Sequence, residues 1–446
     1  MTAPPPTLDA TIDTAAPSTG AAAVSRRRET PLSERTRSYW RSLLAAAGPG
    51  WLIAVGYIDP GNWATDVAGG SAYGFSLLWA VTGASLAAMI LQVLAARLGL
   101  ATGKDLASLS AEATPPWARA IQWLLAEAAI CACDLAELIG AAIALKLLFH
   151  LPVVLGVALT AADSLAFLAL QKSGRRRLDI VVGALVVVVA GCLAAELVMA
   201  HPDWRRALEG LQPSAASLAA PGALYMAMGI VGATVMPHNL YLHSYLMRDR
   251  AGSIDRRAAA GAAAVDTCAA LTVALVLNAA ILVLAASVFP GAGHGHTAQI
   301  QDAYRLLAPT LGPLAAALFA IALLAAGQSA TVTATLAGQA VMEGFVKLKL
   351  DPWARKLLTR LLALGPALFF AARWGEHGLD RLLIGSQVLL GLQLPFAIVP
   401  LLLFTADRRR MGPLWSPWWL TALAGAIGLT VVGLSFGMLL ASLRGR

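Results

Sequence analysis

The sequence predicts an all-α membrane protein that crosses the bilayer eleven times. Three observations carry that reading. The 446 residues are 58% hydrophobic and only 13% charged, whereas a soluble chain carries about 25% charged residues. Apolar runs of about 17–25 residues, the length that spans hydrocarbon as a helix, recur from Trp40 to Leu443 with short polar gaps. Lysine and arginine fall on alternate gaps rather than on all of them.

The spans are expected at roughly 44–70, 74–98, 121–147, 151–171, 179–200, 221–247, 259–289, 308–343, 354–372, 380–405 and 417–442. With the N-terminus inside, the segments Arg26–Arg41, Arg97–Arg119, Lys172–Arg177, Arg248–Arg257, Lys347–Arg360 and Arg408–Arg410 hold 25 of the 33 basic residues. Such asymmetry orients a polytopic protein with its basic gaps in the cytoplasm, and the odd span count places the C-terminus outside. The net charge of +8 is therefore assigned to orientation in a cell (inner) membrane and not to nucleic acid, since the arginines cap spans instead of forming one face.

Residues 1–38, rich in Pro, Ala and Thr with an arginine cluster, read as a disordered cytoplasmic tail; no apolar stretch there resembles a signal peptide. Residues 39–446 form the single membrane domain. Cys131, Cys133, Cys192 and Cys268 all fall in expected spans and read as small buried hydrophobes, with no disulfide framework.

Two spans interrupt themselves. IDPGNWATDV at Ile58–Val67 and VMPHNLYLHS at Val235–Ser244 each hold a proline with an asparagine two residues later, near the middle of an apolar run. A helical proline lacks an N–H, so Pro60 frees the carbonyl of Gly56 and Pro237 that of Ala233. Irregular backbone at membrane depth survives only inside protein or along a cavity. Asp59 at that depth costs about 2.5–3.5 kcal/mol, and such residues mark ion or substrate paths. The Asp59 carboxylate, the Asn62 amide oxygen, the carbonyls of Gly56 and Ala233 and the Met236 thioether together suit a transition-metal dication; sulfur offers little to magnesium or calcium. Breaks in the first and sixth spans point to two inverted repeats, about 44–200 and 221–405, with the site at the midplane and the helix at 417–442 outside the repeat.

The stretches GPGWLIAVGYIDPGNWATD, CDLAELIGAAIAL and GATVMPHNLYLHS resemble those of the Nramp family of proton-coupled divalent-metal transporters, over about Trp40 to Leu443. The resemblance implies a LeuT-type fold. It also implies Asp59, Asn62, Met236 and the carbonyls of Gly56 and Ala233 as ligands, with Gln387 joining as the site occludes. Mn²⁺ or Fe²⁺ would be the cargo, Cd²⁺ and Co²⁺ further substrates, and proton co-transport the driving force. No cofactor is expected, the metal being the transported substrate, and the chain is expected to be monomeric in the lipid bilayer.

For the proton, Glu127, Asp134 and Glu137 lie within roughly 80° of arc on one helix face. Carboxyls removed from water exchange protons closer to neutral pH, so the stripe is a candidate relay, with ion pairing to a nearby Arg or Lys as the competing reading. His238 follows the second break directly and can pass protons or ligate metal. His243 lies five residues on, a poor match for a helical zinc pair, and no HExxH motif supports an enzyme. Gln393 is a second amide in the tenth span, Asp163 and Asp266 are further charges within spans, and His294 and His296 lie in an external loop. Ala258–Ala264 reads as close helix packing. A sodium-coupled amino-acid transporter of the same fold and a metal channel stay open as alternatives; Asp59 would repel a substrate carboxylate, and Met236 speaks against a carrier relaxed toward magnesium.

Overall fold

Helix α1 (Pro49–Gly56) ends just short of the first break, and α2 (Pro60–Tyr73) starts on the proline itself. The second break follows the same plan, with α9 (Ala223–Val235) ending before it and α10 (Pro237–Arg248) starting on Pro237. Each proline thus occupies the first helical position, where its missing N–H is no loss and its fixed φ suits the helix. These breaks are restarts of the helix rather than kinks within one.

The computed structural model describes residues 48–152, 154–160, 175–251, 255–289, 300–349 and 351–443. The tail expected at residues 1–38, Asp163, His294 and His296 lie outside the described residues, as does most of the fourth expected span, of which residues 154–160 are helical.

Between the breaks run α3 (Leu78–Thr102), α4 (Leu106–Ala113), α5 (Pro116–Phe149), α6 (Arg175–Ala200) and two short helices, α7 (Trp204–Glu209) and α8 (Ala215–Leu218). After the second break come α11 (Arg256–Val288), α12 (Ile300–Leu311), α13 (Pro313–Val346), α14 (Pro352–Ala406), α15 (Arg408–Met411) and α16 (Trp418–Leu443). Their limits follow from local chemistry. Gly103, at φ 65°, closes α3 and donates to the carbonyl of Gly99, and the Asp105 carboxylate caps α4 by accepting from Ser108 N at 2.8 Å. The amphipathic α4 is too short to cross the bilayer and has no counterpart among the expected spans.

Among the described residues seven helical stretches are long and apolar enough to cross a membrane. The eight, thirteen and twelve residues of α1, α9 and α10 each cover only part of the thickness. The chain is a multi-pass membrane protein.

One boundary differs from expectation. Residues 373–379, expected to separate the ninth and tenth spans, are helical, and α14 is continuous in secondary structure over 55 residues. It is not one straight rod. Arg360 lies 3.3 Å from Glu137, three residues from Gly140, against which Pro60 packs, while Gln387 packs on Gly61. A straight helix would separate Arg360 from Gln387 by about 40 Å, so the chain turns back between them.

The core forms where α5 packs against α13 and α14, and where α11 packs against α1, α2 and α3. Helices α9 and α10 fit between α3 and α14. Small residues set the spacing: Gly140 of α5 takes the ring of Pro60, and Gly232 of α9 lies on Gly391 of α14. In the Ala258–Ala264 stretch Ala259, Ala260, Ala262 and Ala263 are buried as expected, but Gly261 faces open space. Cys133 and Cys192 are buried, Cys131 is half-buried, and Cys268, against expectation, is exposed on α11.

Candidate metal centre

Asp59 is the N-cap of α2. One carboxylate oxygen, Oδ1, accepts from the backbone N–H of Asn62 and from its side-chain Nδ2, both at 2.9 Å. The same Asn62 nitrogen donates to the carbonyl of Ala233 at 3.2 Å, across the bundle at the end of α9. One amide therefore ties the two breaks together and brings the carboxylate of one within reach of the carbonyl freed at the other. Asn62 Oδ1 accepts from Thr234 Oγ1 at 3.3 Å.

The second break is held by its own side chains. Met236 has φ 44° and ψ 94°. For a residue with a Cβ this is strained, at a cost of order 1–3 kcal/mol. The strain turns the thioether inward, where Met236 is fully buried among Ala129 and Ala132 of α5 and Leu390 of α14. Its sulfur accepts from Asn239 Nδ2 at 3.4 Å. That nitrogen in turn sits where a side chain on Gly56 would be, 2.8 Å from a Cβ built there. Gly56, Met236 and Asn239 are thus neighbours. Gln387 reaches the first break from α14, its amide lying directly on Gly61.

Several oxygens in this group accept nothing. Asp59 Oδ2, Gln387 Oε1 and Asn239 Oδ1 are buried without a hydrogen-bond partner. Each such group costs about 1–3 kcal/mol. The group contains one carboxylate, amides, carbonyls and a thioether. No cluster of three or more His, Cys, Asp or Glu side chains able to hold a metal occurs among the described residues.

The carboxyl stripe of α5 is paired more closely than a free relay. Glu127 Oε2 takes Arg355 at 2.8 Å. Glu137 Oε2 takes Arg360 at 3.3 Å and Thr331 Oγ1 at 2.8 Å. Arg360 also donates to the backbone carbonyl of Asp134 at 2.9 Å, and the Asp134 side chain is buried. Glu127 and Glu137 are each ion-paired in this arrangement. Arg355 and Arg360 are only 3% and 5% exposed and are packed against α5. His238 is buried, and neither ring nitrogen has a partner.

Sequence reasoning passed over a second polar chain. Tyr57 donates to the carbonyl of Val235 at 3.3 Å and accepts from Gln92 Nε2 at 2.9 Å, while Gln92 Oε1 faces His243 Nδ1 at 2.9 Å. Asn278 of α11 donates to the Tyr57 carbonyl at 2.9 Å. Asp266 accepts from the N–H groups of Gly48 and Gly50 at 2.9 and 2.8 Å, which fixes the start of α1 on α11. The signal for Gln92 and Asn278 was a lone amide inside an apolar span. Asp66, one helical turn beyond Asn62, is wholly buried with both oxygens unpartnered. Gln393 is buried beside Tyr241, and Gln387 is the amide that reaches the break.

Residues 50–441 match the family profile described as natural resistance-associated macrophage protein-like, Nramp. The divalent metal cation transporter MntH of Nostoc sp. is 50% identical over 414 residues, covering 92% of this chain and 94% of its own. A crystal structure of the Eremococcus coleocola manganese transporter superposes with TM-score 0.80 at 37% identity, over 89% of this chain and 86% of that one. MhsT in complex with L-phenylalanine aligns over 86% of this chain and 98% of its own with TM-score 0.57 at 18% identity, a likeness of fold alone. With its two broken helices joined through Asn62, and with residues 50–441 matching that profile, the chain belongs to the Nramp family.

Proposed function

We propose that the protein is a secondary active transporter that imports divalent transition-metal ions, Mn²⁺ and Fe²⁺ first among them, together with protons. The observation that carries this reading is the bridge made by Asn62 Nδ2 between Asp59 Oδ1 and the Ala233 carbonyl. An N–H₂ group offers these two oxygens the partial positive charge that a dication would offer fully. In the metal-bound state the ion takes that place, bound by the Asp59 carboxylate, the Met236 sulfur and the carbonyls of Gly56 and Ala233. Asn62 rotates its amide to present Oδ1, and Gln387 joins through Oε1. The relatives named for divalent cations and for manganese agree with this cargo.

Protons pass by way of His238, Asp134, Glu137 and Glu127. Arg360 and Arg355 are partners that such passage must loosen. Eleven spans in two inverted repeats plus α16, with the N-terminus in the cytoplasm, complete the reading, and alternating access comes from one bundle rocking against the other. Uptake of Mn²⁺ into proteoliposomes tests it. Uptake accelerated by metal trapped inside and by an inward proton gradient supports a coupled carrier; uptake indifferent to both supports a channel.

A further inference from the structure

The loop between α14 and α16 reads DRRRMGPLWSPWW over Asp407–Trp419. Its three arginines stand exposed on α15 with one acid nearby, and that acid is already engaged: Asp407 Oδ1 accepts from Arg409 N at 2.9 Å and Oδ2 pairs with Arg410 Nε at 3.2 Å. The guanidinium of Arg408 lies 3.8 Å from the centre of the Trp415 ring, and that of Arg410 lies 5.0 Å from the Phe404 ring. Stacking engages the flat face of a guanidinium and leaves its in-plane N–H edge free to donate. The Arg409 side chain has no partner among the described residues.

The platform beneath these groups is fixed. Trp415 donates from Nε1 to the Ala406 carbonyl at 3.2 Å, and Arg97 of α3 holds the carbonyls of Leu414 and Trp415 at 2.9 and 3.2 Å. Immediately beside it the surface turns apolar, with Leu403, Trp418 and Trp419 all more than half exposed. Exposed tryptophans next to arginines mark the level of lipid headgroups.

We propose that Arg408, Arg409 and Arg410 bind the phosphate of an anionic phospholipid whose acyl chains run along Leu403, Trp418 and Trp419. Prealigned guanidinium edges match phosphate oxygens, and the net positive charge selects anionic over zwitterionic headgroups. The apolar flank assigns the phosphate to a lipid instead of free phosphate. The exposed arginines of α7 differ: Arg205 and Arg206 are each paired with an acid, Glu209 and Asp203.

Native mass spectrometry of the full chain, offered equal phosphatidylglycerol and phosphatidylcholine, tests this. The wild type should retain phosphatidylglycerol preferentially, and Arg408→Gln/Arg409→Gln/Arg410→Gln should lose that preference by about fivefold or more. Arg409→Gln alone, which breaks no contact of the described fold, should lose part of it, and Arg205→Gln/Arg206→Gln should lose none. Equal retention by wild type and triple variant, or an undiminished preference in Arg409→Gln, would overturn the site. Complete displacement of the lipid by inorganic phosphate would overturn its assignment to a lipid.

Discussion

Gln387 lies so closely over Gly61 that a methyl group on the glycine would sit 2.6 Å from the Gln387 amide oxygen. The tenth expected span thereby touches the first break directly beside Asp59. Gly61→Ala should displace Gln387 and lower Mn²⁺ affinity about tenfold, equivalent to about 1.4 kcal/mol. Calorimetric titration checks this, and unchanged affinity would remove Gln387 from the site.

Met236→Ala removes the only soft donor of the group. Relative uptake of Ca²⁺ or Mg²⁺ against Mn²⁺ should rise, because the remaining oxygens suit hard cations. Parallel uptake assays with the three ions report the ratio; a ratio equal to wild type would place selectivity elsewhere.

Arg360→Gln breaks the pair with Glu137 and the hydrogen bond to the Asp134 carbonyl. Loss of one partner from a buried pair costs about 3–5 kcal/mol, so thermal stability should fall. If protons travel by the proposed route, Mn²⁺ uptake should also respond less to external pH than in the wild type while metal binding persists. Retained pH response would take Glu137 and Asp134 out of the proton route.

Tyr57→Phe deletes hydrogen bonds to Val235 and Gln92 that join α1, α3 and α9. The expected loss is about 0.5–1.5 kcal/mol per bond in the arrangement seen here. The midpoint of thermal unfolding should fall accordingly, and a midpoint equal to wild type would show that these bonds contribute nothing to the packing of α1, α3 and α9.

The breaks were legible because a proline and a charge inside an apolar run violate the rules of hydrocarbon so plainly. Asp59 and Asn62 followed from those rules, and Asn62 joins the two breaks. The turn-back within α14 was legible as two apolar runs, but its helical linker was not, since RWGEHGLD contains no residue that forbids helix. The ion pairs of Arg355 and Arg360 were not legible, because a count of basic residues cannot see Glu127 and Glu137 on α5. Tyr57, Gln92 and Asn278 are single polar residues whose partners lie far along the chain, and only packing reveals them.

The direct test of the central claim is calorimetric titration of purified wild type and Asp59→Ala with Mn²⁺. Saturable binding by the wild type, abolished in the variant while its thermal unfolding stays cooperative, is the result expected. Equal Mn²⁺ affinity in the two proteins would contradict a metal centre between the two broken helices.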